Sequence, residues 1–364
     1  MKASLQDCRM IDHLHAIAAH AYYVGEHALG RRSCERLLRH ELPENLEPVV
    51  RRNRTWYTQR IDELAGTKFV QIDVEPANPG WSLFNPSVIN HGGRFVVNVR
   101  SSNYRIVEGR YVMPEEDRGV IRTVNILADY SYSLEHCGPT TTLLAEYEAS
   151  DYQVDGLEDV RLNGLEDGTI LGSATIRNWA GLDGTCRIGA CEILRESGSV
   201  LNLRCHETAD GQHEKNWMPI VGRRAWIYSC SANGKTCTAE EEQGRWAITP
   251  SADAPAVARS FRGGSQIVPI GYGKWLGLVH EVAHDLDGRR IYEHRMVRFD
   301  ESAGWRIDAV SMPFAFREPR AIEFAAGLAV NGDRLVASFG VRDAEAWLCE
   351  MRLSEVSDLL EPLE

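Results

Sequence analysis

The chain lacks any run of about 18 consecutive apolar residues, so no stretch of it reads as a membrane-spanning helix. Its first eight residues, Met1 to Cys8, lack an apolar signal core, and together the two absences lead to the expectation of a cytoplasmic protein. No CxxC occurs among the nine cysteines. The closer pairs, Cys186/Cys191 and Cys230/Cys237, have no histidine nearby at zinc spacing, so reduced thiols are expected and a structural metal is not. A basic excess is missing too. The net charge is -12: residues 1–66 hold 10 Lys+Arg against 9 Asp+Glu, which leaves 30 against 43 for residues 67–364. That acidity argues against nucleic acid as a general partner.

What is present is a globular composition, 43% hydrophobic and 25% charged over 364 residues. That length suits one large domain with an accessory piece. Residues 8–66 read as helices. Leu14, Ile17, Ala18, Ala21 and Tyr22 recur at helical spacing, as do Leu29, Cys34, Leu37 and Leu38. Gly25 and Gly30 punctuate one hairpin, and Pro43 and Pro48 mark the next break. The stretch Ala18–Leu38 resembles a tetratricopeptide-like helical pair, too few units for an independent solenoid. We therefore expect residues 1–66 to form a helical appendage docked on a main domain, 67–364, and to offer a surface for a protein partner.

From residue 67 the texture changes to short strand-like segments separated by Gly, Asn, Asp or Pro, among them 69–74, 94–100, 122–127, 169–176, 275–280, 290–299 and 334–339. No long helix interrupts them before 354–360. Such regularity suits a sandwich, a barrel or a propeller. Five phrases, at 85–100, 156–177, 214–229, 262–281 and 322–343, share one plan: a polar motif, a strand, a Gly/Asn/Asp turn, and a second strand ending in polar residues. Five units of about 60 residues predict a mainly β protein, a five-bladed β-propeller with a short N-terminal α-helical appendage. Polar residues from distant segments would then meet in one central funnel.

The stretch Gly156-Leu-Glu-Asp-Val-Arg161 carries the chemistry. Strand alternation would place Asp159 and Arg161 on one face and Glu158 and Val160 on the other. Arg161 would then hold the Asp159 carboxylate ionised or fix an anionic substrate group. An acidic turn with a surface ion pair is the plainer alternative. Other features have plain alternatives as well. Lys215 beside Glu214 reads as a surface ion pair, Trp217 as packing or a sugar platform, and Arg262–Ser265 as a tight turn or an anion cradle. His280 and His284 fall at a strand end and a loop, which does not suggest a metal site. Glu323, isolated in an apolar strand, needs a partner or a task.

As a set these motifs resemble the five-bladed β-propeller glycosidases and phosphorylases of glycoside hydrolase family 130 and the related mannosyltransferase/phosphorylases, over most of residues 80–345. "GLEDVR" is similar to that family's Gly-x-Glu-Asp-Pro-Arg signature, with Val160 in place of proline. The resemblance implies Asp159 as general acid, protonating the glycosidic oxygen through a sugar hydroxyl, and Arg161 as the arginine that follows it. It implies Lys215, in "EKNW", as a binder of phosphate or an anionic leaving group. Arg100, His280, Tyr292 and Arg295 look like further members of the anion and sugar subsite, and mannose, β-linked, is the implied sugar.

Inverting transfer at an anomeric carbon needs a proton donor on the leaving side and an oxygen nucleophile opposite. Phosphate needs no base, only Arg, Lys and His donors to hold it in line. The expected site is therefore Asp159 as donor, with Arg100, Arg161, Lys215 and His280 on the anion, Asn85, Tyr292, Glu323 and Asp343 positioning sugar hydroxyls, and Arg295 in the same substrate and phosphate subsite. A cofactor is not expected; inorganic phosphate or a sugar nucleotide would be co-substrate to an oligosaccharide or glycoside. A hydrolase would need a second carboxylate, for which Glu323 and Asp343 are candidates. A sugar-binding propeller that partners a glycosyltransferase is the non-catalytic alternative.

Overall fold

The structure is a computed structural model that describes residues 5–181, 184–206, 213–242 and 245–363. Three helices lead: α1 (Leu5–His20), α2 (His27–Leu38) and α3 (Glu47–Arg54). Their apolar stripes bury Leu14, Ala18, Cys34, Leu37 and Val50 against one another, with Tyr57 closing the cluster. The rest is mainly β, in a β-propeller-like arrangement. No helix among the described residues is long and apolar enough to cross a membrane. The eight cysteines with described side chains form no disulfide, and Cys8 lies outside those side chains.

Among the described residues four sheets have a blade's layout, four antiparallel strands in a row. Sheet I runs Ser82–His91, Arg94–Ser102, Ile121–Tyr130, His136–Thr142. Sheet II runs Glu158–Gly164, Ile170–Ile176, Arg187–Ile193, Val200–Cys205. Sheet III runs Met218–Pro219, Ala225–Ala232, Lys235–Glu242, Arg245–Asp253. Sheet V joins Glu323–Asn331, Arg334–Val341 and Glu345–Arg352 to Thr67–Gln71 from the other end of the chain. Sheet IV is eight-stranded. It is built on the meander Val268–Gly271, Lys274–His284, Arg290–Asp300, Arg306–Ser311. Gln59–Arg60 pairs into it beside Phe314–Ala315, and Leu360–Pro362 beside Arg306–Ser311. The five recurrent phrases fall on the opening strands of these sheets.

The apolar core lies between sheets. Ile89 and Val96 of sheet I meet Leu162 and Ala174 of sheet II. Ile227 of sheet III meets Val279 and Phe299 of sheet IV. Leu278 of sheet IV meets Leu328 and Phe339 of sheet V, and Val336 of sheet V returns to Val88 and Phe95 of sheet I. Nearer the centre, side chains stitch one sheet's backbone to the next: Ser87 Oγ donates to the Val160 carbonyl at 2.7 Å and Ser338 Oγ to the Pro86 carbonyl at 2.6 Å. Gln266 Nε2 donates to the Leu328 carbonyl at 2.8 Å. These bonds satisfy backbone groups on the inner edge of the opening strands.

Candidate functional site

The opening strands of the sheets converge on one cavity of ≈ 380 Å³. Sheet II reaches it through a break in pairing. Its register runs Glu158↔Thr175 and resumes at Arg161↔Ser173, so Asp159 and Val160 form a bulge. Asp159 takes a left-handed φ of 51°, which Asp tolerates better than most residues. The alternation expected from residues 158–161 is thereby lost: Glu158 and Asp159 both line the cavity and Arg161 does not. Arg161, 1% exposed, braces the wall from behind. Its Nε donates to the Gly264 carbonyl at 2.5 Å and its Nη2 to Asn216 Oδ1 at 3.2 Å.

Sheet I repeats the device, with a register break between Phe84 and Ser87 that leaves Asn85, at φ 46°, and Pro86 in the bulge. Asn85 Nδ2 donates to Asp159 Oδ1 at 3.0 Å, and Arg100 Nη1 donates to the same oxygen at 2.9 Å. Gly340 allows this seat: a Cβ there would fall 2.5 Å from the Asn85 nitrogen and Oδ1.

The two adjacent carboxyls have opposite environments. Burial opposes ionisation of Asp159, but Arg100, the Asn85 amide and Arg161 outweigh it and hold the carboxyl below its usual range. For Glu158 burial prevails, aided by the Asp159 charge, over Arg100, Arg177 and Lys215, and its pKa is raised. Asp343 is likewise raised, mainly by burial, and accepts from Tyr104 Oη at 2.9 Å. Facing these carboxyls are Arg177, Lys215, Arg262 and Arg290. Among the described residues none of the four has a carboxylate within ion-pair distance. His280 stacks on Tyr292 at 5.1 Å, and its Nδ1 is buried without a hydrogen-bond partner among the described residues. Burial and the nearby cations push its pKa well below the usual imidazole range and favour the neutral ring. A second chamber of ≈ 510 Å³ shares Arg177, Cys186, Lys215, Asn216 and Arg262 with the cavity.

Seven residues singled out in the sequence meet here: Asp159, Asn85, Arg100, Lys215, His280, Tyr292 and Asp343. Three do not line the cavity. Arg161 lies behind the wall. Arg295 sits an odd number of residues from Tyr292, on the opposite face of the strand, and pairs with Glu281 at 2.6 Å and Glu35 at 2.8 Å. Glu323 is 0% exposed and ties down a loop. It accepts from the backbone N–H of Phe316 at 2.7 Å, Arg317 at 2.8 Å and Glu318 at 2.7 Å, while burial raises its pKa to about 7. Trp217 is packing: it lies among Trp226, Trp246 and Tyr228, and its Nε1 donates to Glu214 at 3.2 Å. Glu214 is thus occupied away from Lys215.

Sequence reasoning missed Glu158, Tyr104, Arg177 and Arg290 as cavity residues, and weighed Arg262 only as the start of a tight turn or a backbone anion cradle. Glu158 was hidden by the bulge, which no alternation rule foresees. Arg177, which ends the phrase at 156–177, and Arg262, which opens the one at 262–281, carried the signal of polar residues at strand ends.

No family model matches the chain, and no curated protein matches it. Solved structures do. The chain is similar to the β-1,2-mannobiose phosphorylase from Listeria innocua in complex with β-1,2-mannobiose, at 14% identity, over 80% of this chain and 96% of that one, TM-score 0.54. It is similar to a structure described under the GH130 family of mannoside phosphorylases, which contains glycoside hydrolases that target β-1,2 mannosidic linkages in Candida mannan. That match has 12% identity, 82% and 97% coverage, and a TM-score of 0.55. A glycosyl hydrolase from Bacteroides ovatus matches at 11% identity, 84% and 98% coverage, and a TM-score of 0.54. At these identities the likeness is one of fold.

Proposed function

We propose that this chain is a carbohydrate-active enzyme that cleaves β-linked mannosides by inverting phosphorolysis, with Asp159 as proton donor. The observation that carries the proposal is the division of charge in the cavity. Asp159 is fixed by Arg100 and Asn85 on one side, while Arg177, Lys215, Arg262 and Arg290 stand opposite without carboxylate partners among the described residues. The lining holds five basic side chains (Arg100 and these four) against three carboxyls (Glu158, Asp159, Asp343), a surplus of two positive charges when all are ionised. A phosphate near neutral pH, carrying between one and two negative charges, meets that surplus.

In the reaction a phosphate oxygen attacks the anomeric carbon from the face opposite the leaving group. The bond from that carbon to the glycosidic oxygen breaks as the bond to phosphate forms. The Asp159 proton reaches the leaving oxygen through a sugar hydroxyl, and the products are the α-sugar 1-phosphate and the shortened saccharide. The phosphate also readies the donor: a dianion beside Arg100 and Lys215 offsets the field that lowers the Asp159 pKa. Lys215, Arg262 and the neutral His280 hold the anion, while Asn85, Tyr292 and Asp343 orient sugar hydroxyls. Arg161 acts indirectly, through Asn216 and the Gly264 carbonyl.

The similarity to the mannobiose phosphorylase and to the family 130 structure supports mannose as the sugar. We take sheet IV as the fifth blade, residues 67–364 as the catalytic propeller and 1–66 as a unit docked on it, in a cytoplasmic protein. Hydrolysis is the second reading, favoured by the raised pKa values of Glu158 and Asp343 in the cavity. Product analysis with β-mannosides, β-1,2-mannobiose among them, with and without inorganic phosphate separates the readings. Sugar 1-phosphate formed only with phosphate supports phosphorolysis. Free sugar in both tubes selects hydrolysis, with Asp343 or Glu158 as base. No product in either would overturn both and turn attention to sugar-nucleotide donors, then to sugar binding without turnover.

A further inference from the structure

His280 and Tyr292 form one wall of the cavity, and each is followed in sequence by a glutamate. Alternation sends Glu281 and Glu293 to the reverse face of the same two strands, where the register sets them directly opposite each other. Like charges so placed push a strand pair apart. Both are nearly fully buried, so water does little to relieve them.

The relief comes from outside the sheet. Arg54, at the end of α3 and 1% exposed, lies between the two carboxylates. Its Nη2 is 3.0 Å from Glu281 Oε2 and 2.6 Å from Glu293 Oε2, and its Nη1 is 3.1 Å from Glu35 Oε1 of α2. Arg51 of α3 reaches Glu281 Oε1 at 3.0 Å and the half-exposed Glu47 at 2.8 Å. From the sheet itself Arg295 reaches Glu281 at 2.6 Å and Glu35 at 2.8 Å. Thr58 and Ser260 hydroxyls donate to Glu293 and Glu281 respectively, and the Cys34 thiol lies close to Arg54. Three guanidiniums (Arg51, Arg54, Arg295) thus face three buried carboxylates (Glu35, Glu281, Glu293). Glu293 has one ionic partner among the described residues, and it is Arg54.

We propose that Arg54 is a positioning residue for the cavity: from the N-terminal helices it binds the carboxylates behind His280 and Tyr292 and thereby sets the wall those two residues form. This rests on the cavity being the active site. The helical segment is then part of the site's construction. Without Arg54, Glu281 and Glu293 repel, the strands shift, and the His280–Tyr292 stack loses its register with Arg262 and Lys215.

The test uses the full chain with Arg54→Met, Arg54→Lys and the triple variant Arg54→Met/Glu281→Gln/Glu293→Gln. Two readouts are taken between pH 5.5 and 8: inorganic phosphate affinity by calorimetry, and carbethoxylation of His280 by mass spectrometry. At pH 8 Arg54→Met should bind phosphate about ten- to a hundredfold more weakly and expose His280 to the reagent. Both effects should diminish toward pH 5.5, as one glutamate of the unneutralised pair takes up a proton and the repulsion is relieved. Arg54→Lys should be intermediate. The triple variant, in which the two facing charges at 281 and 293 are gone, should return within about threefold of the native affinity and protect His280. If Arg54→Met fails to fold, the folded triple variant still supports the idea by recovering the native readouts. A triple variant as impaired as the single one overturns it, as does an Arg54→Met protein with native affinity and a protected His280. Should the native protein bind no phosphate, the proposed function is what fails, and the His280 readout still decides the role of Arg54.

Discussion

Asp159 and Glu158 share a backbone bond and little else. Arg100 and Asn85 converge on one oxygen of Asp159 and keep it ionised, while Glu158, whose ion-pair partner among the described residues is Arg100 at 3.6 Å, holds its proton to higher pH. In the proposed reaction a donor that starts ionised must gain its proton when the nucleophile arrives. Phosphate binding near pH 8, where the free anion is already mostly the dianion, should therefore be accompanied by net proton uptake, seen as a dependence of calorimetric heat on the buffer's ionisation enthalpy. Asp159→Asn should remove most of that uptake and lower turnover by about 10² to 10⁴, leaving saccharide affinity nearly unchanged. Undiminished uptake in Asp159→Asn would shift the proton, and the donor's role, to Glu158. The "GLEDVR" motif pointed to the carboxyls from sequence; which of the two is ionised depends on Asn85 and Arg100, more than 55 residues away in the chain.

At the scale of the element, the bulge is the working unit. Asn85-Pro86 and Asp159-Val160 occupy the same break in register at the opening of adjacent sheets, with Asn85 and Asp159 both at positive φ. In sheet I the second position is already proline, and the residue before it is left-handed. Val160→Pro should consequently be accepted by sheet II. Restricting the unfolded chain should raise stability by about 0.4–1 kcal/mol, with kcat/KM unchanged, as read by denaturant unfolding and initial rates. A loss of several degrees in Tm would mean that the two bulges differ in backbone more than their registers suggest. The strands were legible from composition and turn residues, because period-2 patterning is local. The bulges were not, since a register is a property of two strands and is absent from either alone. For the same reason Arg161, plausible on a flat strand, lies outside the cavity lining, whereas plain alternation turns Glu323 away between Ile322 and Phe324, which do line it.

At the scale of the molecule, both ends of the chain lock the ring of sheets. Thr67–Gln71 completes the sheet of Glu345–Arg352, and Leu360–Pro362 adds to Arg306–Ser311. The helical segment is bound as closely, through Gln59–Arg60 on Phe314–Ala315 and through Arg54. Residues 67–364 expressed alone would expose Glu281, Glu293 and Arg295 without Arg51, Arg54 and Glu35. Breaking such buried pairs costs about 3–5 kcal/mol, so this fragment should melt roughly 10 °C or more below the full chain by calorimetry. A fragment that melts with the full chain would instead make residues 1–66 a separable unit.

By itself the sequence determined the mainly β texture, the helices before residue 60, the order of the polar phrases and the acidic motif at 158–159, all carried by spacing within a few residues. Tertiary structure decided which polar residues share a cavity, which carboxyl is ionised and what lies behind His280 and Tyr292. Those outcomes depend on pairings across 59 residues for Asp159 and Arg100, and across 239 for Arg54 and Glu293. Charge and burial at such distances exist only once the sheets have closed around them.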